Sequence, residues 1–301
     1  MPPASLLRLL LLAALWGGSF LFTRYTVPVL GAVPTAFGRV ALAALGLMAL
    51  LALPPRRPAF QGRLGAVLVL GVVNSGIPFC MFALAARVLP AGYSAMLNAT
   101  TPLMGVLIGA AVFGERITGA GAAGVLLGMA GVAVLAQAGP VALSAPVLAG
   151  IAACLVATAC YGLAGFLTRR WITARGGLDS RMVALGSQWG AVLVLAPWAF
   201  WQAWSEPGLA AAWAGASPRV WGALLAMGLL CTALAYVLYF RLIADVGPLK
   251  ALSVTFLVPL FGVAWGWLLL DEAVTGAHAA GGVLIALALW LVLRPAPPRP
   301  G

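Results

Sequence analysis

PLMGVLIGAAVFGERITGAGAAG, from Pro102 to Gly124, returns as PLFGVAWGWLLLDEAVTGAHAAG from Pro259 to Gly281. The two align without a gap at a shift of 157 (259 − 102 = 272 − 115), and about half of the positions from Pro102 to Leu127 are identical. That is too much agreement for two apolar runs sharing only composition. Each copy reads as an apolar helix with a mid-helix proline, closed by an acid (Glu115, Glu272) and followed by a second apolar helix. The duplication reaches further. Phe79 and Phe82 lie the same 157 before Tyr236 and Tyr239 (236 − 79 = 239 − 82), and Trp16-Gly17 with Thr23-Arg24 echoes Tyr161-Gly162 with Thr168-Arg169 at a shift of 145 (161 − 16).

The surrounding chain is of one character. Of its 301 residues 63% are hydrophobic and 8% charged, with a mean hydropathy of +1.09. A soluble domain carries roughly 25% charged residues, so this chain belongs in a bilayer, where a long internal repeat is the mark of a transporter built as two halves. The net charge of +11 does not point to nucleic acid. The arginines fall between apolar runs rather than on one basic face with stacking aromatics. Cys80, Cys154, Cys160 and Cys231 all lie in apolar runs without a CxxC spacing or a histidine cluster, which leaves no case for a disulfide framework or a metal site. His278 is the lone histidine and reads as incidental. No HExxH, GxSxG or histidine–acid constellation suggests an enzyme, and no cofactor is expected. Leu9–Leu15 resembles a signal-peptide core, but no small-x-small site follows, so the run is read as a retained first membrane helix.

About 20 apolar residues cross a hydrocarbon core of about 30 Å. Ten runs fit: 6–23, 33–53, 64–86, 91–113, 118–137, 147–168, 181–204, 219–242, 249–270 and 276–293. Pro54-Pro55-Arg56-Arg57-Pro58, Ala138-Gly139-Pro140 and Gly247-Pro248 break the chain between them. With the N-terminus in the cytoplasm, the inner side collects Arg8, Arg56, Arg57, Arg63, Arg116, Arg169, Arg170, Arg175, Arg181, Arg241, Lys250, Arg294 and Arg299. The outer side keeps only Arg24, Arg87 and Arg219. The expected fold is therefore an all-α membrane protein of ten transmembrane helices in two inverted five-helix repeats, both termini cytoplasmic. Its parts are a first repeat over 1–137, a linker over 138–146, a second repeat over 147–293 and a tail over 294–301.

Certain residues carry a more specific resemblance. They are Trp16-Gly17-Gly18-Ser19-Phe20, Arg39, Pro102 with Gly114-Glu115-Arg116-Ile117-Thr118, and Pro259 with Asp271-Glu272 and Thr275. Through them the chain resembles the EamA-domain branch of the drug/metabolite transporter superfamily over nearly its whole length. The resemblance implies a ten-helix inverted-repeat fold. It also implies export of amino acids or other small metabolites across a bacterial inner membrane by alternating access, with the solute and the lipid bilayer as partners. A phosphate-sugar or nucleotide-sugar antiporter, or a membrane assembly protein that moves nothing, are the rivals.

The resemblance places the solute pathway on polar and aromatic residues of the first, third, fourth, sixth, eighth and ninth runs. Here these are Trp16, Ser19, Asn74, Ser94, Asn98, Thr101, Tyr161, Tyr236, Tyr239, Ser253 and Thr255. Each also suits the bonding of one helix to another. Such neutral donors and aromatic faces fit a zwitterionic or uncharged metabolite better than a phosphate. Pro102 and Pro259 either bend their helices as hinges or reflect the ordinary tolerance of membrane helices for proline. Arg39 either faces a cavity in a gating role or snorkels to the surface. Glu115 and Glu272, at helix ends, serve as caps or as sites for a coupling ion. Gly105-x-x-x-Gly109, Gly262-x-x-x-Gly266 and Gly124-x-x-x-Gly128 predict close helix packing, which in the fifth and tenth runs would also suit a homodimer.

Overall fold

Backbone N–H and C=O groups find no water in lipid, so an apolar chain must pair them within each segment, and helices result. The structure, a computed structural model, describes residues 2–52, 59–138, 141–247, 251 and 254–293. Arg56, Arg57, Lys250, Ser253, Arg294 and Arg299 lie outside the described residues. The described chain is helical and without strands. Its helices are α1 (Pro3–Leu30), α2 (Ala32–Ala52), α3 (Leu64–Ala85), α4 (Ala91–Asn98), α5 (Thr101–Phe113) and α6 (Gly119–Ala138). They continue with α7 (Ala145–Trp171), α8 (Ser180–Ser205), a short α9 (Pro207–Ala214), α10 (Pro218–Val246), α11 (Val254–Leu270) and α12 (Gly276–Leu293).

The expectation of ten transmembrane helices as two inverted five-helix repeats, both termini cytoplasmic, is corrected here. Among the described residues seven helices are long and apolar enough to cross a membrane, or eight if α4 and α5 together make one crossing. The run over 91–113 is interrupted by a 41° bend between those two. The described part of α11 has 17 residues, about 25 Å of rise, less than the ~30 Å a crossing needs. α12 is likewise among the shorter apolar helices. An apolar run in sequence does not reveal where its helix stops. Without ten crossings, the parity that would turn the second copy over has no footing.

The α4–α5 bend has a local cause. Pro102 lacks the N–H that would bond the Asn98 carbonyl, and the Thr101 hydroxyl donates to that oxygen instead, at 2.7 Å. Thr100 Oγ1 does the same for Leu97 O at 2.8 Å. The Thr101 hydroxyl thus covers the carbonyl that Pro102 leaves without its helical partner, while Leu97 O also accepts the Thr100 N–H at 3.0 Å. Pro102 therefore stands in the first turn of α5, where a missing N–H costs little, rather than mid-helix as read from the sequence.

The repeated stretch forms the same corner twice. Gly114 ends α5 in the left-handed region (φ 67°), and Glu115 N–H bonds Gly109 O at 2.9 Å. Asp271 takes the matching conformation (φ 53°) after α11, and Glu272 N–H bonds Gly266 O at 3.1 Å. Both bonds reach back six positions, one more than in a Schellman motif, and close the helix end around a residue in the left-handed region. Thr118 Oγ1 then accepts from Gly121 N–H at 3.0 Å to open α6. Before α12, His278 Nδ1 accepts from Thr275 N–H at 3.1 Å, filling the place a glutamate takes in a capping box.

Glycines set the closest packing. α6 and α12 run antiparallel, with Gly124 against Ala288 and Val292, and Gly131 against Gly281 and Ile285. On the outer surface Trp198, Phe200, Trp201 and Trp204 of α8 are exposed, Trp204 by 89%. Clustered toward one end of a spanning helix, they suit the lipid–water boundary. Asp179 caps α8 by accepting from Arg181 N–H at 2.9 Å, and hydrogen bonds from the Arg181 guanidinium hold its carboxyl below the usual carboxylate range.

Candidate functional site

A cavity of about 320 Å³ lies where α1, α2, α3, the α4–α5 break, α7, α10 and α11 converge. Asn74, Asn98, Thr101, Cys231 and Thr232 on its wall come from places where a helix is irregular. α3 widens into a π-helical turn over Val72–Gly76, just before Pro78, whose missing N–H leaves the Asn74 carbonyl without its α-helical partner. α10 does the same over Ala226–Leu234. The two turns occupy equivalent positions of the repeat. Asn74 and Ser75 stand 157 before Cys231 and Thr232 (231 − 74 = 232 − 75). Asn74, Cys231 and Thr232 all line the cavity.

Among the described residues Arg39 is its one charged lining residue. The side chain is 8% exposed, so the arginine does not snorkel to the surface. Its Nε donates to Thr232 Oγ1 at 3.0 Å, and Thr232 Oγ1 donates in turn to Met227 O at 2.9 Å, a carbonyl that the π-turn leaves in reach. The guanidinium carbon sits 3.7 Å from the Phe79 ring centroid, a cation–π contact in a water-poor setting. Gly228 lets α10 approach this point, because a Cβ there would lie 2.5 Å from Leu42 Cβ and 3.1 Å from Arg39 O.

The rest of the wall is aromatic and neutral-polar. Trp16 and Tyr239 rings lie 5.3 Å apart, Phe20 meets Phe82 edge to face at 5.2 Å, and Phe82 stacks on Tyr161 at 6.3 Å. Asn74 Nδ2 reaches Tyr236 Oη at 3.5 Å, and behind it Gln188 donates to Ser75 Oγ at 3.1 Å in a buried pair. Ser19 Oγ and Thr101 Oγ1 donate to backbone carbonyls of their own chain segments, Trp16 O and Asn98 O, both at 2.7 Å.

Among the residues read from the sequence as pathway, the cavity gathers Trp16, Ser19, Asn74, Asn98, Thr101, Tyr161, Tyr236, Tyr239 and Thr255, together with Arg39. Ser94 is buried outside the lining at 3% exposure, and Ser253 lies outside the described residues. Neither proline lines it. Pro259, inside α11, borders a second cavity of about 520 Å³ that is apolar apart from His278. Glu115 and Glu272 stand at the helix corners. Glu115 accepts from Arg169 Nη2 at 2.7 Å, while Glu272 accepts the Ala91 and Gly92 N–H groups of α4 at 2.7 and 3.2 Å. Among the described residues no cluster of metal-ligating side chains occurs. Sequence reasoning passed over Phe20, Thr23, Cys231, Thr232, Val254 and Val258. The shift of 157 that links Cys231 and Thr232 to Asn74 and Ser75 was the available signal.

The family model described as the EamA-like transporter family matches residues 4–137 and again residues 148–294. Over 205 residues the chain is 26% identical to a protein of Streptantibioticus cattleyicolor described as a "probable terminal-alkyne amino-acid exporter". That match covers 68% of this chain and 65% of the relative, just under two thirds of the relative's length. A solved structure, described only as the crystal structure of a protein, is similar with a TM-score of 0.61 and 22% identity over 97% of both chains, a likeness of fold alone.

Proposed function

We infer the function from one premise: the chain belongs to the EamA-like transporter family, and is a multi-pass membrane transporter of that family. The central cavity is then the passage for a small solute, carried by alternating access and released outward across a bacterial inner membrane. An amino acid is the solute class supported by the description of the Streptantibioticus relative. One observation carries the reading. In a chain 63% hydrophobic, polar and aromatic side chains from seven segments, Arg39, Asn74 and Asn98 among them, meet on a single space. Interhelical bonding accounts for pairs such as Asn74 with Tyr236, but it does not require an open space between them. A phosphate-sugar antiporter is less well served, since a doubly charged phosphate wants several cations and, among the described residues, Arg39 is the one charged lining residue.

The passage is tested by filling it. Asn98 lines the cavity, half-buried at the α4–α5 break. Asn98→Trp should leave yield and monodispersity near wild type and lower amino-acid counterflow in proteoliposomes by roughly tenfold or more, as loss of a transition-state path does. Counterflow at the wild-type rate with the tryptophan in place would remove the cavity from the route.

A further inference from the structure

We propose that the cavity takes its solute by a carboxylate, held at Arg39, and that an amine on the solute is dispensable for binding. This rests on reading the cavity as the passage, and specifies the chemistry recognised there. Arg39 is more than nine-tenths buried, yet the ion pairs among the described residues join Arg8, Arg169, Arg181 and Arg241 to carboxylates and leave Arg39 out. Of its five N–H donors, one is committed to Thr232 and one face of the plane to Phe79. Among the described residues, no hydrogen bond takes up either terminal nitrogen. A guanidinium kept this dry without a counter-charge is costly, and Thr232 and Phe79 fix its orientation at that cost. The free edge of the fork is the donor pair that matches two carboxylate oxygens.

The opposite charge is missing from the wall. No aspartate or glutamate lines the cavity, and Glu115 and Glu272 are engaged at their corners. An ammonium entering with the carboxylate would find aromatic faces and neutral oxygens but no anion. The net field of the site therefore favours a monoanion with an apolar or aromatic body, set against Trp16, Phe82, Tyr161 and Tyr239.

Three probes separate these statements on the detergent-purified full chain by titration calorimetry: 3-phenylpropanoate, 3-phenylpropanamide and L-phenylalanine. The acid and the amino acid should bind within about threefold of each other, and the amide roughly tenfold or more weakly, the usual scale of a lost charge-assisted pair. In Arg39→Lys, which keeps charge but loses the fork, the acid-to-amide ratio should shrink to a few-fold. In Arg39→Gln the two should bind alike. The wild-type pair decides the matter even if Arg39→Gln does not fold. Equal binding of acid and amide by the wild type would overturn the carboxylate assignment. A phenylalanine much tighter than phenylpropanoate would overturn the dispensable amine. Failure of all three to bind folded protein would overturn the inference as a whole, while counterflow by Asn98→Trp still decides the passage reading separately.

Discussion

Gly190→Ala is expected to be the most damaging single methyl in the molecule. Gly190 of α8 lies against the Leu68 carbonyl of α3, and Gly71 of α3 lies against the Ser187 carbonyl of α8, so each helix docks a bare Cα on the other's backbone. A Cβ at either position would overlap a carbonyl oxygen that is itself tied into its helix and cannot rotate away. Overpacking of that kind costs on the order of 3 kcal/mol. Thermal unfolding in detergent should show a large drop for Gly190→Ala and for Gly71→Ala. Gly222→Ala in α10 is the control, since a Cβ there meets nothing within 4 Å. It should be neutral or stabilising by about 0.5–1 kcal/mol, because alanine has less conformational freedom to lose than glycine. A Gly190→Ala protein as stable as wild type would show that the two helices are not in backbone contact.

The second large effect belongs to Glu272, and it is expected to be unequal to that of its copy. The Glu272 carboxylate sits on the N-terminus of α4, where two orphan N–H groups and the helix dipole both favour negative charge. Glu272→Ala should cost about 2 kcal/mol, the scale of hydrogen bonds to a charged group. Gly266 leaves room for this carboxylate and belongs to the same arrangement. Glu115 has the same backbone hook, but its side chain meets Arg169 in the open, the two being 47% and 65% exposed. An ion pair that wet contributes between nothing and about 1 kcal/mol. Melting of Glu115→Ala should therefore stay near wild type while that of Glu272→Ala falls. Equal losses would mean that the α4 contact carries no special weight.

The difference between those two acids shows where sequence reading stopped. That Glu115 and Glu272 end helices was plain from the change in composition around them. Their partners, Arg169 and the α4 amides, lie far along the chain and leave no local trace. The all-helical membrane character followed from hydropathy, and the family from motifs such as Trp16-Gly17-Gly18-Ser19-Phe20. The number of crossings did not follow. A threonine that replaces a missing N–H makes a broken helix read like an unbroken apolar run at Thr100-Thr101-Pro102. The π-turns were invisible for a related reason, since Val72–Gly76 and Ala226–Leu234 have the composition of ordinary helix. Arg39 posed a choice between surface and cavity. A hydroxyl 193 positions away, on Thr232, settles its place.

The glycine contacts also sort the cavity's walls into two kinds of join. α1, α4 and α11 are bound to one another through Gly17, Gly92 and Gly262, and α3 is bound to α8, and α2 to α10, by equally close approaches at Gly71, Gly190 and Gly228. Between these groups the contacts are made by side chains: Phe20 on Phe82, Trp16 on Tyr239, Arg39 over Phe79, and hydrogen bonds from Thr23 to Met227 sulfur, from Asn74 to Tyr236, from Arg24 to the Ala86 carbonyl and from Arg8 to Asp245. Backbone-close joins lie within each group and side-chain contacts between them, so the lining divides along a seam where separation breaks ring contacts and a small set of side-chain hydrogen bonds while leaving the glycine joins intact. A crosslink thrown across that seam, between cysteines replacing Phe20 and Phe82, should arrest counterflow until it is reduced. If the bridged protein turns over freely, the seam is not where the molecule opens.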